Sequence, residues 1–131
     1  MTDNLSVMVV DDSADLRDLI SMVIERHHGG WRVVATAAEG RQAIAEARST
    51  QPDLVLLDIA MPVMDGLQAL PHIREVAPEA VVVMLSGYPF ATAGEGALHA
   101  GADGYLEKSN LVHGLIPRLE QIMKDAAPDA N

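Results

Sequence analysis

The fold follows from the stretch Asp53-Leu-Val-Leu-Leu-Asp58-Ile-Ala-Met-Pro62-Val-Met-Asp-Gly66, in which four apolar residues run directly into an acid. A short apolar run without alternation predicts a strand that is buried on both faces, as in a parallel sheet. Pro62 and Gly66 mark a loop after this strand, and a helical pattern follows the loop. The stretch therefore places the Asp58 carboxylate at the carboxyl end of a central strand, where open α/β sheets bind their ligands.

Four further apolar runs alternate with helical patterns along the chain. These runs are Val7–Val10, Trp31–Ala37, Ala80–Leu85 and Gly104–Leu106. A helical spacing of apolar residues follows each run and also follows the central strand, so that the sequence contains five strand–helix pairs. Strands that alternate with helices predict a parallel sheet whose two faces are both covered by helices.

Two of the predicted helices contain residues that weaken helical structure. In the third helix we expect Leu67, Leu70 and Ile73 to be buried and Pro71 to cause a kink or a loosening. We expect the fourth helix, over residues 90–100, to be weak and mobile. Its two glycines each cost about 1 kcal/mol relative to alanine in a helix interior.

The composition indicates one ordinary globular domain. The chain has 131 residues, of which 49% are hydrophobic and 21% charged, and we expect a domain over residues 1–125 with a frayed tail over residues 126–131. The formal net charge of −10 argues against direct contact with nucleic acid. The chain has no cysteine, which excludes disulfides and thiolate zinc sites. The absence of a signal peptide pattern and of an apolar run of about 20 residues predicts a cytoplasmic protein without membrane insertion.

Polar residues follow four of the five predicted strands. Asp11 and Asp12 follow the first strand, Asp58 ends the third, Ser86 follows the fourth and Lys108 follows the fifth. The carboxyl ends of parallel strands lie along one edge of the sheet, so these side chains should converge. Three carboxylates repel one another unless a cation lies among them, and oxygen-only ligands favour Mg²⁺, or Mn²⁺ in its place.

This set of residues suits phosphoryl transfer onto a carboxylate. Asp58 would be the nucleophile and would form an aspartyl phosphate. Mg²⁺ and Lys108 would neutralise the oxygens of the transferring group, and Ser86 would supply a hydroxyl donor. Taken singly, Asp12 is better explained as a helix cap and Lys108 as a solvated charge, but five such residues at four strand ends are difficult to explain in that way.

The sequence resembles the receiver domains of bacterial two-component response regulators, in particular the single-domain chemotaxis regulators, over essentially its whole length. The resemblance rests on Val10-Asp11-Asp12, on Leu57-Asp58-Ile-Ala-Met-Pro62 with Asp65-Gly66, on Ser86, and on Gly101-Ala102-Asp-Gly104-Tyr105-Leu-Glu-Lys108. The spacing between these blocks also matches the family. The resemblance implies a (βα)5 flavodoxin-like fold, with a five-stranded parallel sheet in the order 2-1-3-4-5 and helices on both faces.

The same resemblance implies roles for the residues at the strand ends. Asp58 would be phosphorylated by a sensor histidine kinase or a histidine phosphotransfer protein. Asp11, Asp12 and Asp58 would hold Mg²⁺ together with the backbone carbonyl of Ala60. Ser86 and Tyr105 would be the switch pair. Ser86 would turn inward to bond the phosphoryl group, and Tyr105 would move into the space that Ser86 vacates.

The resemblance further implies that the surface made by the fourth helix, the fifth strand and the fifth helix carries the output. That surface would control a downstream protein target or a missing output domain, or would form a phosphorylation-dependent homodimer. The protein would then be a signalling switch that catalyses only its own phosphorylation and dephosphorylation, and not an enzyme with turnover.

Two positions suggest a long-lived phosphorylated state. Ala60 and Tyr88 lie two residues beyond Asp58 and Ser86, at positions that in this family influence the lifetime of the phosphoryl group. Ala60 has no polar group to orient an attacking water, and Tyr88 could shield the site, so we expect slow autodephosphorylation. Ser109 stands where many family members have a proline in a cis peptide.

Two other function classes share parts of the pattern. Aspartate-based phosphohydrolases also form an aspartyl phosphate, but their nucleophile lies in an Asp-x-Asp motif. This chain has Ala60 at the position of the second aspartate. Flavin-binding modules share the expected fold, but the first loop, Asp-Asp-Ser-Ala-Asp, is acidic and would repel a phosphate. Multiple turnover on a phosphomonoester would favour the first class, and a yellow, flavin-loaded preparation would favour the second.

Overall fold

A computed structural model of the chain describes residues 4–27 and 29–126. Strands and helices alternate within this part of the chain in the order β1 (Ser6–Val10), α1 (Ala14–Glu25), β2 (Arg32–Ala37), α2 (Gly40–Thr50), β3 (Leu54–Asp58), α3 (Gly66–Val76), β4 (Val81–Ser86), α4 (Phe90–His99), β5 (Gly104–Glu107) and α5 (Leu111–Ala126). One turn of 3₁₀ helix, Lys108–Asn110, joins β5 to α5. Of the expected tail, residue 126 ends α5, and residues 127–131 lie outside the described residues.

The five strands form one parallel sheet in the order β2-β1-β3-β4-β5. The predicted (βα)5 flavodoxin-like fold and its strand order are thereby confirmed. All five residues of the central strand β3 are buried, including Asp58. This explains why its apolar run shows no alternation, since a strand covered on both faces has no solvent side.

Side chains of β3 alternate between two apolar layers on opposite faces of the sheet. Val55 and Leu57 pack into a layer to which α2, α3 and α4 contribute, and Leu54 and Leu56 pack into a layer to which α1 and α5 contribute. The second layer contains the four α5 residues that helical spacing selects, Leu111, Leu115, Leu119 and Ile122. No helix in the described part of the chain is long and apolar enough to cross a membrane.

The orientation of α3 differs in one respect from the prediction. The predicted burial of Leu70 and Ile73 is confirmed, but that of Leu67 is wrong, because its side chain is 38% exposed. The buried positions of this helix are Gly66, Ala69, Leu70 and Ile73. They continue at helical spacing from Gly66, so the close approach of that glycine to β3 sets which face of α3 is turned inward.

Helix-weakening residues are accommodated without a break. α3 continues through Pro71, and α5 continues through Pro117. α4 forms ten residues of helix with both glycines inside it. A Cβ added to Gly94 would overlap the ring of Phe90, whereas one added to Gly96 would meet nothing within 4 Å. Gly94 therefore has a packing reason, and Gly96 has none in the described surroundings.

The start of α3 is seated directly against the backbone of β3. The Gly66 amide donates to the carbonyl of Ile59 at 2.8 Å, and Asp65 and Gln68 form a reciprocal capping box at the helix start. A Cβ added to Gly66 would overlap the carbonyl oxygen of Asp58. Glycine is therefore required here, because any side chain would displace either α3 or the strand end that carries Asp58.

We expect Gly66→Ala to lower the free energy of unfolding by about 2 kcal/mol or more, because the new methyl group meets backbone that cannot yield. Gly96→Ala is the matched control and should raise the free energy of unfolding by about 0.5–1 kcal/mol. Urea unfolding followed by the fluorescence of Trp31, the single tryptophan, measures both variants. Equal changes in the two variants would show that helix propensity, and not the contact with Asp58, decides the outcome.

Candidate functional site

The end of β1 presents two acids in different surroundings. The Asp11 amide donates to the carbonyl of Ala37 at 3.0 Å, and Asp11 Oδ1 accepts a hydrogen bond from the Ser13 amide at 2.9 Å. Ser13 in turn caps α1, since its Oγ accepts from the Leu16 amide at 3.2 Å. Asp11 is fully buried, whereas Asp12 is exposed. The loop thus fixes one carboxylate inside the protein and leaves the next one at the rim.

Arg17 also holds this loop, and the sequence reasoning missed it. Its Nη1 donates to the backbone carbonyl of Asp11 at 2.7 Å. A signal for this role is present in the sequence, because Arg17 falls close to the start of α1, where the helix dipole disfavours a cation. The hydrogen bond to the Asp11 carbonyl compensates for this unfavourable position.

Asp58 is the last residue of β3 and is only 1% exposed. Its Oδ1 accepts a hydrogen bond from the Ala60 amide at 3.2 Å. Its Oδ2 has no hydrogen-bond partner in the part of the chain that the structure describes. A buried carboxylate oxygen without a partner is costly, and this atom is therefore available to a ligand or to a reacting group.

Lys108 places a positive charge between the two buried acids. Its Nζ lies 2.9 Å from Asp11 Oδ2 and 3.0 Å from Asp58 Oδ1. The residue follows β5 directly, in the 3₁₀ turn, and its peptide bond to Ser109 is trans. One side chain thus connects the ends of β1, β3 and β5, as the sequence predicts for residues at the carboxyl edge of a parallel sheet.

The titration of the site follows from these contacts. Burial raises the pKa of Asp58 from 3.8 to about 6, although the hydrogen bond from Lys108 lowers it and the charge of Asp11 raises it further. Burial lowers the pKa of Lys108, but its bonds to Asp11 and Asp58 outweigh this, and the pKa lies above its usual 10.5. The site therefore contains one permanent cation and an acid whose ionisation still costs free energy.

The acidic residues are arranged so that they could share a metal ion. Asp11, Asp12 and Asp58 can each offer one carboxylate oxygen such that the three atoms lie within 4.8 Å of one another. Ala60 lies two residues after Asp58, and among the described residues no backbone amide donates a hydrogen bond to its carbonyl. Oxygen-only donors and the unpaired Oδ2 of Asp58 fit a hard divalent cation such as Mg²⁺ or Mn²⁺.

The remaining predicted residues lie together at the junction between β4 and α4. Ser86 ends β4 and is 2% exposed, and its Oγ accepts a hydrogen bond from the Tyr88 amide at 2.9 Å. The Tyr105 side chain is buried, and its hydroxyl donates to the Tyr88 carbonyl at 2.6 Å. The Tyr88 side chain itself is 58% exposed. Ser86 and Tyr105 are therefore joined through the backbone of one residue.

The sequence matches the family model for the response regulator receiver domain over residues 7–120. The chain belongs to the response regulator receiver family. Receiver domains of this family are signalling switches of two-component systems. The match confirms the family that the sequence motifs predict.

Two relatives show how the receiver occurs in longer and shorter proteins. The chemotaxis protein CheY of Bacillus subtilis is 35% identical over 102 residues, which cover 78% of this chain and 83% of CheY. A protein-glutamate methylesterase/protein-glutamine glutaminase of Paramagnetospirillum magneticum is 40% identical over 109 residues, which cover 82% of this chain and 28% of that protein. The chain thus spans about a quarter of the methylesterase relative, and that match covers only the receiver part.

The fold of the receiver is also similar to solved structures. The response regulator domain of Thermotoga maritima CheB has a TM-score of 0.79 and 31% sequence identity, with 96% of this chain and 98% of that chain covered. A LuxR-family response regulator from Aurantimonas has a TM-score of 0.86 and 32% identity, with 94% of this chain and 87% of that chain covered.

In the absence of divalent cations, we expect Asp58→Asn to be more stable than the native chain at neutral pH. Because burial raises the folded pKa of Asp58 to about 6, above the unfolded value of 3.8, the native chain loses stability as the pH rises from about 4 to about 6. The stability gap between the variant and the native chain should widen by roughly 2 kcal/mol between pH 4.5 and pH 7.5.

Urea unfolding at a series of pH values measures this gap. Asp18→Asn, the same change at an exposed acid of α1 outside the cluster, is the matched control for replacement of a carboxylate by an amide. A gap for Asp58→Asn that does not depend on pH would contradict the assigned cost of ionisation.

Proposed function

We propose that this receiver accepts a phosphoryl group on Asp58, in a Mg²⁺-dependent reaction, from a sensor histidine kinase or a histidine phosphotransfer protein. The observation that supports this most directly is the state of the two carboxylate oxygens. Oδ1 is held by the Ala60 amide and by Lys108, while the buried Oδ2 has no hydrogen-bond partner among the described residues. An oriented carboxylate with one free oxygen is what a nucleophile for phosphoryl transfer requires.

In the proposed reaction, Oδ2 of Asp58 attacks the phosphorus atom. The new O–P bond forms as the bond from phosphorus to the imidazole nitrogen of the donor breaks, and the electron pair of that bond returns to the nitrogen. Lys108 lies beside the acceptor and can follow the negative charge onto the oxygens of the transferred group. Mg²⁺ held by Asp11, Asp12, Asp58 and the carbonyl of Ala60 would supply further positive charge at the same oxygens.

The proposed output passes through Ser86 and Tyr105. Ser86 ends the strand next to β3, one residue beyond the register partner of Asp58, so its hydroxyl is well placed to bond a phosphoryl group on that acid. A change at Ser86 would act on the Tyr88 backbone, to which Tyr105 is also bonded. The surface of α4, β5 and α5 would then act on a downstream protein, on an output domain elsewhere in a longer protein, or on a second copy of the chain.

This role is that of a switch that turns over only its own phosphoryl group. An aspartate-nucleophile phosphohydrolase, the alternative, would need a proton donor two residues after the nucleophile. Ala60 stands there and its side chain cannot donate a proton. Only multiple-turnover hydrolysis of a phosphomonoester would favour that alternative.

Incubation of the chain with Mg²⁺ and acetyl phosphate should add the mass of one phosphoryl group, and Asp58→Asn should gain none. Asp18→Asn, at an exposed acid of α1, is the control that should be phosphorylated as the native chain is. Intact-mass spectrometry gives the result. Phosphorylation of Asp58→Asn, or equal phosphorylation with and without a chelator, would contradict the assignment of the acceptor or of the cation.

The phosphorylated protein should lose its phosphoryl group slowly, over minutes or longer, because residue 60 cannot orient water. Ala60→Asn introduces a polar group there and should accelerate the loss by roughly tenfold or more. Ala91→Asn, the same change at an exposed residue of α4, should leave the rate unchanged. Decay of the native phosphoprotein within seconds would count against a long-lived state.

A further inference from the structure

Helix α4 begins without a cap from its own segment. Its N-cap residue is Pro89, which makes no side-chain cap hydrogen bond. The first amides of a helix need acceptors, and a missing cap usually weakens the helix start. Here the acceptor comes from another strand, because Oε2 of Glu107 on β5 accepts a hydrogen bond from the Phe90 amide at 2.9 Å. The carboxylate also places a negative charge at the positive end of the helix dipole.

Two further contacts tie the same segment to β5. Tyr105 and Glu107 are two residues apart on the strand, so that their side chains leave the same face of the sheet. The Tyr105 hydroxyl bonds the Tyr88 carbonyl, and its ring packs edge-on against Phe90 with the ring centres 5.6 Å apart. Residues 88–90 are thus held at three points by two neighbouring side chains of one strand.

The strand that holds α4 also carries the cation of the site. Lys108 follows Glu107 directly, and its ammonium group bridges Asp11 and Asp58. A new negative charge on Asp58 would draw Lys108 to new partners, and the backbone that Lys108 shares with Glu107 would respond. The end of β5 therefore joins the charge state of the site to the start of α4.

We infer that Glu107 is a positioning residue of the switch, whose carboxylate caps α4 and holds this helix in place while Asp58 is unphosphorylated. This inference rests on the proposed function of Asp58 and deepens it, since it names a contact through which the site regulates the α4 surface. Phosphorylation releases the cap or changes its geometry, and α4 is loosened at the end that lies next to the site.

The test compares Glu107→Ala with Glu107→Gln and with Glu95→Ala in the full chain without phosphodonor. Glu107→Ala removes the acceptor and should speed hydrogen exchange of the hydrogen-bonded α4 amides by about fivefold, the effect expected for loss of one cap. Glu107→Gln keeps an acceptor oxygen and should stay close to the native chain. Glu95→Ala removes the same charge from an exposed position on α4 and should also stay close to it.

A second measurement separates this inference from the chemistry at Asp58. Each variant is phosphorylated with acetyl phosphate and Mg²⁺, and α4 exchange is measured again. The native chain should show faster α4 exchange on phosphorylation, whereas Glu107→Ala should take up the phosphoryl group with little further change in exchange. Two results would overturn the role of Glu107 and leave the assignment of Asp58 as the acceptor intact. One is that the α4 amides of unphosphorylated Glu107→Ala exchange as slowly as those of the native chain. The other is that phosphorylation speeds α4 exchange in Glu107→Ala as much as it does in the native chain. Failure of the native chain to be phosphorylated would overturn both proposals.

Discussion

The ammonium group of Lys108 lies between two buried carboxylates, and the arrangement of the site depends on this interaction. Without it, Asp11 and Asp58 would face each other as like charges in a desolvated position, which is among the costliest arrangements in a protein interior. Since β4 lies between β3 and β5 in the sheet, Lys108 must reach across the end of β4 to make these contacts.

Most of the fold could be predicted because its signals are local. Apolar runs without alternation identify strands that are buried on both faces, and helical spacing identifies the segments that cover them. The predicted burial of Leu67 is wrong because the spacing of apolar residues does not reveal how the helix is rotated against the sheet. Gly66 approaches the Asp58 carbonyl closely enough to exclude a side chain, and that backbone contact sets the rotation of α3.

Some residues of the candidate site could likewise be predicted from the sequence, and others could not. The sequence identifies Asp11, Asp58 and Lys108 as site residues because charged residues are rare at the ends of buried strands. Their presence there indicates a function. Arg17 and Glu107 escaped notice because each bonds a backbone atom, a carbonyl in one case and an amide in the other. Backbone partners leave no complementary residue type in the sequence, so only the three-dimensional arrangement shows that these side chains are not simply solvated.

The two helices that flank the site are attached to it in very different ways. α3 begins with backbone packed on backbone at Gly66, and it cannot shift without moving Asp58 itself. The start of α4 is held by one cap, one hydroxyl hydrogen bond and one aromatic pair, each of which contributes about 1 kcal/mol. A free energy of a few kcal/mol is the size that a two-state element needs if a single ligand or covalent group is to shift its population. Of the two helix starts, that of α4 is therefore the one that the proposed phosphorylation of Asp58 would shift, while α3 would keep Asp58 in place.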